Sequence, residues 1–223
     1  MRLIAHRGFA STAPENTVRA VEAAAGIADE IEVDVRRCAS GELVAVHDET
    51  VDRITDGSGA VGEHTYSELA ELSVLGTGEG IPTLSSVLRA IPDEVRANVE
   101  LKERGTATDA LDAIDSIHPN SIVSSFFPDV LENCRSADST VPRAYITDNP
   151  GLESVEITAE MGCENLHASK EVCTRELVSA AHRAGFDVNV WTVDSRSEVD
   201  ALVETGIDGV IADRPDVLVG SRV

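Results

Sequence analysis

Aromatic side chains are scarce in this chain: they make up 3 % of its 223 residues, and Trp191 is the only tryptophan. The core must therefore be built from Val, Ile, Leu and Ala, as in a parallel sheet buried on both faces. Hydrophobic residues amount to 42 %, enough for a sizeable core and too many for wholesale disorder. Basic residues are scarce as well. Eighteen Lys+Arg stand against 40 Asp+Glu, a formal charge of −22, and Lys102 and Lys170 are the only lysines. Without a basic face the chain has no means to grip nucleic acid or an anionic membrane, which argues against both as partners. The acidic residues are dispersed along helical stretches. Self-repulsion of that size is tolerated best in molar salt, where the Debye length is about 3 Å, so a halophilic cytoplasm is expected.

Long apolar runs are also missing. None approaches the ~20 residues that span a bilayer, and no cationic leader with an apolar core follows Met1. A cytoplasmic location is the expectation. Cys38, Cys134, Cys163 and Cys173 form neither a C-x-x-C pair nor a zinc-like spacing, and read as small buried hydrophobes in a reducing compartment.

What the chain does have is a regular alternation of short apolar runs and longer helical patterns. Strands are expected at Leu3–Ala5, Glu30–Val35, Ala97–Leu101, Ile122–Ser125, Arg143–Ile146, Glu164–His167, Val188–Thr192 and Gly209–Ala212. Leu43–Val46 follows the Ser40-Gly41 turn closely enough to pair back on the second strand as a hairpin. Helices are expected over Pro14–Ala25, with Glu15 in the first turn, then over Thr83–Ala90, Ala107–Ser116, Pro128–Arg135, Leu152–Met161, Arg175–Ala184 and Arg196–Glu204. A last one begins at Pro215. Eight strands, each followed by a helix, predict a (β/α)₈ TIM barrel forming a single domain over 1–223. The polar, glycine-rich stretch 48–80 reads as a small insertion over the barrel mouth.

Polar residues interrupt these apolar strands toward their C-terminal ends, which converge in a barrel. Glu32, Asp34 and Glu100 are hard oxygen ligands suited to Mg²⁺, Ca²⁺ or Mn²⁺, and a divalent cation would remove the cost of their mutual repulsion. His6 and His47 are candidates for proton transfer near neutral pH. Arg7 and Lys102 place positive charge beside them, a local well for an anionic substrate on an acidic protein. Trp191 is either core or a wall of the substrate pocket. His64, His118, His167 and His182 read as structural or solvated, and nothing specific places Lys170 in a site.

In order along the chain stand H-R-G (His6–Gly8), P-E-N-T (Pro14–Thr17), E-V-D-V (Glu32–Val35), H-D (His47-Asp48), E-L-K (Glu100–Lys102), S-F (Ser125-Phe126), W-T-V-D (Trp191–Asp194) and G-V-I-A-D-R-P (Gly209–Pro215). This set resembles the glycerophosphodiester phosphodiesterases over essentially the whole chain. The resemblance implies a TIM barrel with one divalent cation, usually Ca²⁺ or Mg²⁺, bound by Glu32, Asp34 and Glu100. It implies catalytic roles for His6 and His47, phosphate binding by Arg7 and Lys102, and a supporting role for Glu15 and Asn16. Ala212 stands where the family commonly has Thr. The expected substrate is a small phosphodiester, cleaved to sn-glycerol 3-phosphate and an alcohol. A barrel acting on lysophospholipids or inositol phosphodiesters, and an inactive metal-stabilised binding barrel, are the alternatives. Nothing in the pattern selects between monomer and dimer.

Overall fold

Side chains alternate between the two sides of a strand, and in this chain the two sides differ in chemistry. A computed structural model describes residues 1–218 and contains nine strands: β1 (Arg2–Ala5), β2 (Glu30–Arg37), β3 (Leu43–Ala45), β4 (Arg96–Leu101), β5 (Ser121–Ser125), β6 (Arg143–Thr147), β7 (Asn165–Ser169), β8 (Asp187–Trp191) and β9 (Gly209–Ala212). Eight run parallel in the order β1-β9-β8-β7-β6-β5-β4-β2. The sheet closes into a barrel where β2 pairs back on β1, Ile4 against Glu30 and Ala5 against Ile31. As expected, β3 lies antiparallel on the extension of β2, with Val35 opposite Ala45 and Arg37 opposite Leu43.

One side of most barrel strands is apolar. Leu3, Ala5, Ile31, Val33, Val35, Ala97, Val99, Leu101, Val188, Val190, Val210 and Ala212 are buried in one cluster with helix residues such as Val21, Leu88, Leu131, Leu177 and Val199. Burying each large aliphatic side chain contributes about 1.5–3 kcal/mol, so this shell between barrel and helices is the main source of stability. The intervening positions (Glu32, Asp34, Asn98, Glu100, Ser124, His167, Asn189) face the barrel interior, which is therefore markedly polar.

The helices are α1 (Val18–Ala24), α2 (Tyr66–Glu71), α3 (Leu84–Ala90), α4 (Ala107–Ile117), α5 (Pro128–Ala137), α6 (Glu153–Glu160), α7 (Arg175–Ala184) and α8 (Arg196–Val203). Their starts follow from capping chemistry. The Thr17, Thr83 and Thr174 hydroxyls accept from Ala20, Ser86 and Leu177 N–H. Thr65/Glu68 and Ser195/Glu198 form capping boxes. Pro128 occupies the first turn of α5, and Gly185 ends α7 in the left-handed region at φ 92°.

The first helix departs from expectation. It starts at Val18 and not at Pro14, because Asn16 sits at φ 59° and Thr17 is the cap. Glu15 is therefore not in a helical first turn; it belongs to the loop before α1 and points to the barrel mouth. The helix expected from Pro215 is a 3₁₀ turn over Pro215–Leu218, and any continuation lies outside the described residues.

Residues 48–80 follow β3 and include α2. Their apolar side chains Val51, Ile54, Val61, Leu69 and Val74 cluster with Val44, Val46 and Ile81. β3 divides its side chains between the two cores: Leu43 and Ala45 pack in the barrel shell, Val44 in the insertion.

Candidate active site

β2 and β4 set the centre of the site. Their parallel register puts Asp34 opposite Glu100 and Glu32 opposite Asn98, so the three carboxylates share one face of two adjacent strands. Carboxylate oxygens of Glu32, Asp34 and Glu100 come within 4.8 Å of one another, all buried. Lys102 Nζ lies 2.5 Å from Glu100 Oε1 and 3.3 Å from Asp34 Oδ1. Arg7 Nε lies 3.0 Å from Asp34 Oδ2. Two fixed cations against three carboxylates leave one negative charge uncompensated, and it falls on Glu32. Burial, with Asp34 and Glu100 beside it, pushes the Glu32 carboxyl up to about 8. Burial opposes the Asp34 charge too, but Lys102 and Arg7 prevail and hold that carboxyl well below its usual range. Burial and then Asp34 raise Glu100, against the pull of Lys102.

Glu32 Oε1 is buried without a hydrogen-bond partner, and the donor set is all oxygen. An unpaired buried carboxylate oxygen in an excess-anionic trio is what a hard divalent cation satisfies. The residues fit such an ion.

The loop from β1 to α1 closes one side. After β1 the backbone enters the left-handed region at Arg7 (φ 51°) and Phe9 (φ 65°), and this turn lets Arg7 N–H donate to Glu32 Oε2 at 2.9 Å. Gly8, at φ 75°, leaves no room for a side chain: a Cβ there would stand 2.7 Å from Ala20 Cβ. Asn16 grips Asp34 twice, its Nδ2 donating to Oδ2 at 2.9 Å and its Oδ1 accepting from Asp34 N–H at 3.1 Å. Glu15 accepts from Arg7 Nη1 at 2.9 Å and from both Nη atoms of Arg53.

Each candidate histidine has a carboxylate on Nδ1, which leaves Nε2 for other work. His6 Nδ1 meets Asp213 at 2.6 Å, and its Nε2 lies 4.0 Å from Glu32. Burial disfavours its imidazolium, but the Asp213 bond and Glu32 outweigh burial and raise its pKa. His47 Nδ1 meets Asp48 at 2.6 Å. Here burial, helped by Lys102 and Arg7, prevails over Asp34 and Asp48, and the pKa is lowered.

His6, Arg7, Glu32, His47, Glu100 and Lys102 rim a cavity of about 210 Å³ that reaches into the barrel, with Asp34 paired to Arg7 and Lys102 behind them. Phe126 and Trp191 meet edge to face at 5.6 Å and form its apolar wall with Ile146 and Ile211. Trp191 is thus a pocket wall; its Nε1 donates to His167 O at 3.0 Å. Asn98, Ser124 and His167 also line the cavity. His167 is thus buried at the cavity wall and not solvated. His118 and His64 do bond backbone carbonyls, His182 pairs with Asp208, and Lys170 pairs with Glu198 and Asp194.

Of the candidates from the sequence, His6, Arg7, Glu32, His47, Glu100, Lys102 and Trp191 line the cavity, while Asp34, Glu15 and Asn16 stand behind it, joined to it through Arg7 and Lys102. Asp213, Arg53 and the polar side chains of the interior did not stand out beforehand. Asp213 lay within a quoted motif, directly after β9, and that placement was the available signal.

A parallel barrel with buried carboxylates, carboxylate-paired imidazoles and two cations around one cavity has the architecture of a phosphoric diester hydrolase. The glycerophosphoryl diester phosphodiesterase family matches residues 6–217, and the chain belongs to this family. It is 32 % identical, over 97 % of its length and 96 % of the relative's, to a glycerophosphodiester phosphodiesterase of Caldanaerobacter subterraneus subsp. tengcongensis. A phosphodiesterase of Oleispira antarctica, solved with the product sn-glycerol-3-phosphate, superposes with a TM-score of 0.90 at 27 % identity, covering 96 % of this chain and 94 % of that one. A glycerophosphodiester phosphodiesterase from Thermotoga maritima gives 0.83 at 28 %, covering 100 % and 98 %.

Proposed function

We propose that this chain hydrolyses glycerophosphodiesters to sn-glycerol 3-phosphate and an alcohol, using a divalent cation and two histidines. One observation carries the reading: the carboxylate trio, two Nδ1-anchored imidazoles and two cations meet at a single cavity. The product bound to the Oleispira antarctica relative supports the substrate class. A continuous apolar shell supports treating the described residues, 1–218, as one catalytic domain with 48–80 inserted.

Glu32, Asp34 and Glu100 would hold the cation, which supplies Lewis-acid polarisation of a phosphoryl oxygen. Arg7 and Lys102 bind the phosphoryl group and offset the charge that grows on it. His6 Nε2 takes the proton of the attacking oxygen, and Asp213 fixes its tautomer. His47 Nε2 protonates the departing alkoxide. Against burial, the Asp213 bond and, after it, Glu32 raise His6, and a dication beside Glu32 would offset the second of these. Exposure favours the assignment made: the His47 side chain is 34 % exposed against 16 % for His6, and a leaving alcohol of variable size departs toward solvent. The attacker is water, or the substrate's own glycerol hydroxyl, which expels the alcohol and leaves a cyclic phosphate that water then opens to glycerol 3-phosphate.

The small apolar wall and the scarcity of basic residues in the sequence favour soluble diesters over lysophospholipids. Among the described residues no helix is long and apolar enough to cross a membrane. The test is release of glycerol 3-phosphate from a panel of glycerophosphodiesters in molar KCl, with Mg²⁺, Ca²⁺ or EDTA. No release with either metal would sink the proposal.

A further inference from the structure

We propose that Arg53, on the insertion after β3, is a positioning residue that orients His47 and Arg7 together through one guanidinium. The inference rests on the phosphodiesterase reading above. Arg53 Nε donates to Asp48 Oδ2 at 2.5 Å, and Asp48 Oδ1 holds His47 Nδ1 at 2.6 Å. On its other edge Nη1 and Nη2 donate to Glu15 at 2.8 and 2.7 Å, and Glu15 Oε1 accepts from Arg7 Nη1 at 2.9 Å. Two carboxylates thus hang from one fork, and each orients a different member of the site.

Arg53 does not line the central cavity, so it acts through these carboxylates and not on substrate. The two edges of a guanidinium can serve two acceptors at fixed angles; a lysine ammonium offers no such fork. Removing the guanidinium leaves Glu15, which is 7 % exposed, with Arg7 alone, and frees Asp48 to turn away from His47.

A purely structural role would be to pin the insertion, but the loop has other anchors. Val51 and Ile54 on either side of Arg53 are buried in the insertion core. Ile54 and Thr55 N–H both donate to Val51 O, so the backbone turn is held without the side chain. The insertion therefore meets the chemistry at two points, Asp48 directly on His47 and Arg53 joining Asp48 to Glu15.

Steady-state kinetics on the full-length, metal-loaded enzyme with glycerophosphocholine test this. Arg53→Ala is expected to lower kcat by ~10–100-fold and to raise KM, at a little-changed melting temperature. Asp48→Asn should reproduce chiefly the kcat loss and Glu15→Gln chiefly the KM rise. Each double variant with Arg53→Ala should be no worse in its own constant than the poorer single variant. Arg53→Lys should recover one constant and not both; it also serves if the alanine variant does not fold. Kinetics of Arg53→Ala within about threefold of wild type, additive losses in the double variants, or recovery of both constants by lysine would overturn the proposal. A wild-type enzyme inactive on every diester would instead refute the functional reading, before any variant is compared.

Discussion

His167 gives the sharpest quantitative test of the polar interior. It is buried at 1 % exposure, and its Nε2 accepts from Asn189 Nδ2 at 3.1 Å. Asn189 is itself oriented by Arg2, whose Nη2 donates to its Oδ1 at 3.3 Å. Burial, reinforced by the positive charge of Arg2, holds the imidazole neutral and drives its pKa down to about 3, from an ordinary 6.5. The unfolded chain therefore takes up a proton below pH 6.5 that the folded chain refuses. Stability is undiminished above that value and falls as pH is lowered toward 3, by about 1.4 kcal/mol per pH unit from this group. At pH 5 the loss amounts to ~2 kcal/mol. Many acidic groups titrate in the same range, so the informative quantity is the difference from His167→Gln, which has no proton to take up. Urea unfolding of both proteins from pH 8 to pH 4.5 measures it. The variant should gain on wild type steadily below pH 6.5. Parallel stability curves across that range would refute a neutral, proton-excluding His167.

The other expectations concern the mouth, the fold and the charge. His47→Ala should abolish turnover while leaving divalent-metal binding by calorimetry intact; retained turnover removes His47 from the acid role. Mg²⁺ or Ca²⁺ at a hundred times its dissociation constant should stabilise wild type by about 2.7 kcal/mol in thermal unfolding, reversed by EDTA. Asp34→Asn should lose that response, and a variant stabilised as much as wild type would displace the carboxylate trio as the metal site. Gly8→Ala should cost ~2–5 kcal/mol in urea unfolding, from a left-handed alanine and a Cβ driven into Ala20. A loss below about 1 kcal/mol would mean that the turn after β1 yields easily. With its charge of −22, the protein should melt at higher temperature in molar KCl than in dilute buffer; equal melting temperatures would remove the halophilic reading.

The barrel was legible because its apolar runs are short, regularly spaced and eight in number once Leu43–Ala45 is set aside as a hairpin arm. Metal-type and proton-transfer residues were legible because they are conspicuous at strand ends. The polar interior was not. Asn98, Ser124, His167 and Asn189 stand in short strands that carry other polar residues too, so nothing in the local pattern singles them out. Only closure of the sheet puts them on a common side. Glu15 was misplaced for a local reason: proline followed by glutamate is a standard helix start, and the positive φ of Asn16 leaves no mark in composition. The Arg53 contacts span 38 residues to Glu15, a separation no local pattern encodes.

The polar interior also bears on how readily such a protein could acquire new specificities. Its stability resides in the aliphatic layer between strands and helices, whereas the cavity is lined from the opposite side of the same strands. Asn98, Ser124 and Ile146 line the cavity and do not belong to that layer, so substitutions there rewrite the lining first. Strand alternation thus separates what keeps the protein folded from what it recognises, and the two can diverge independently.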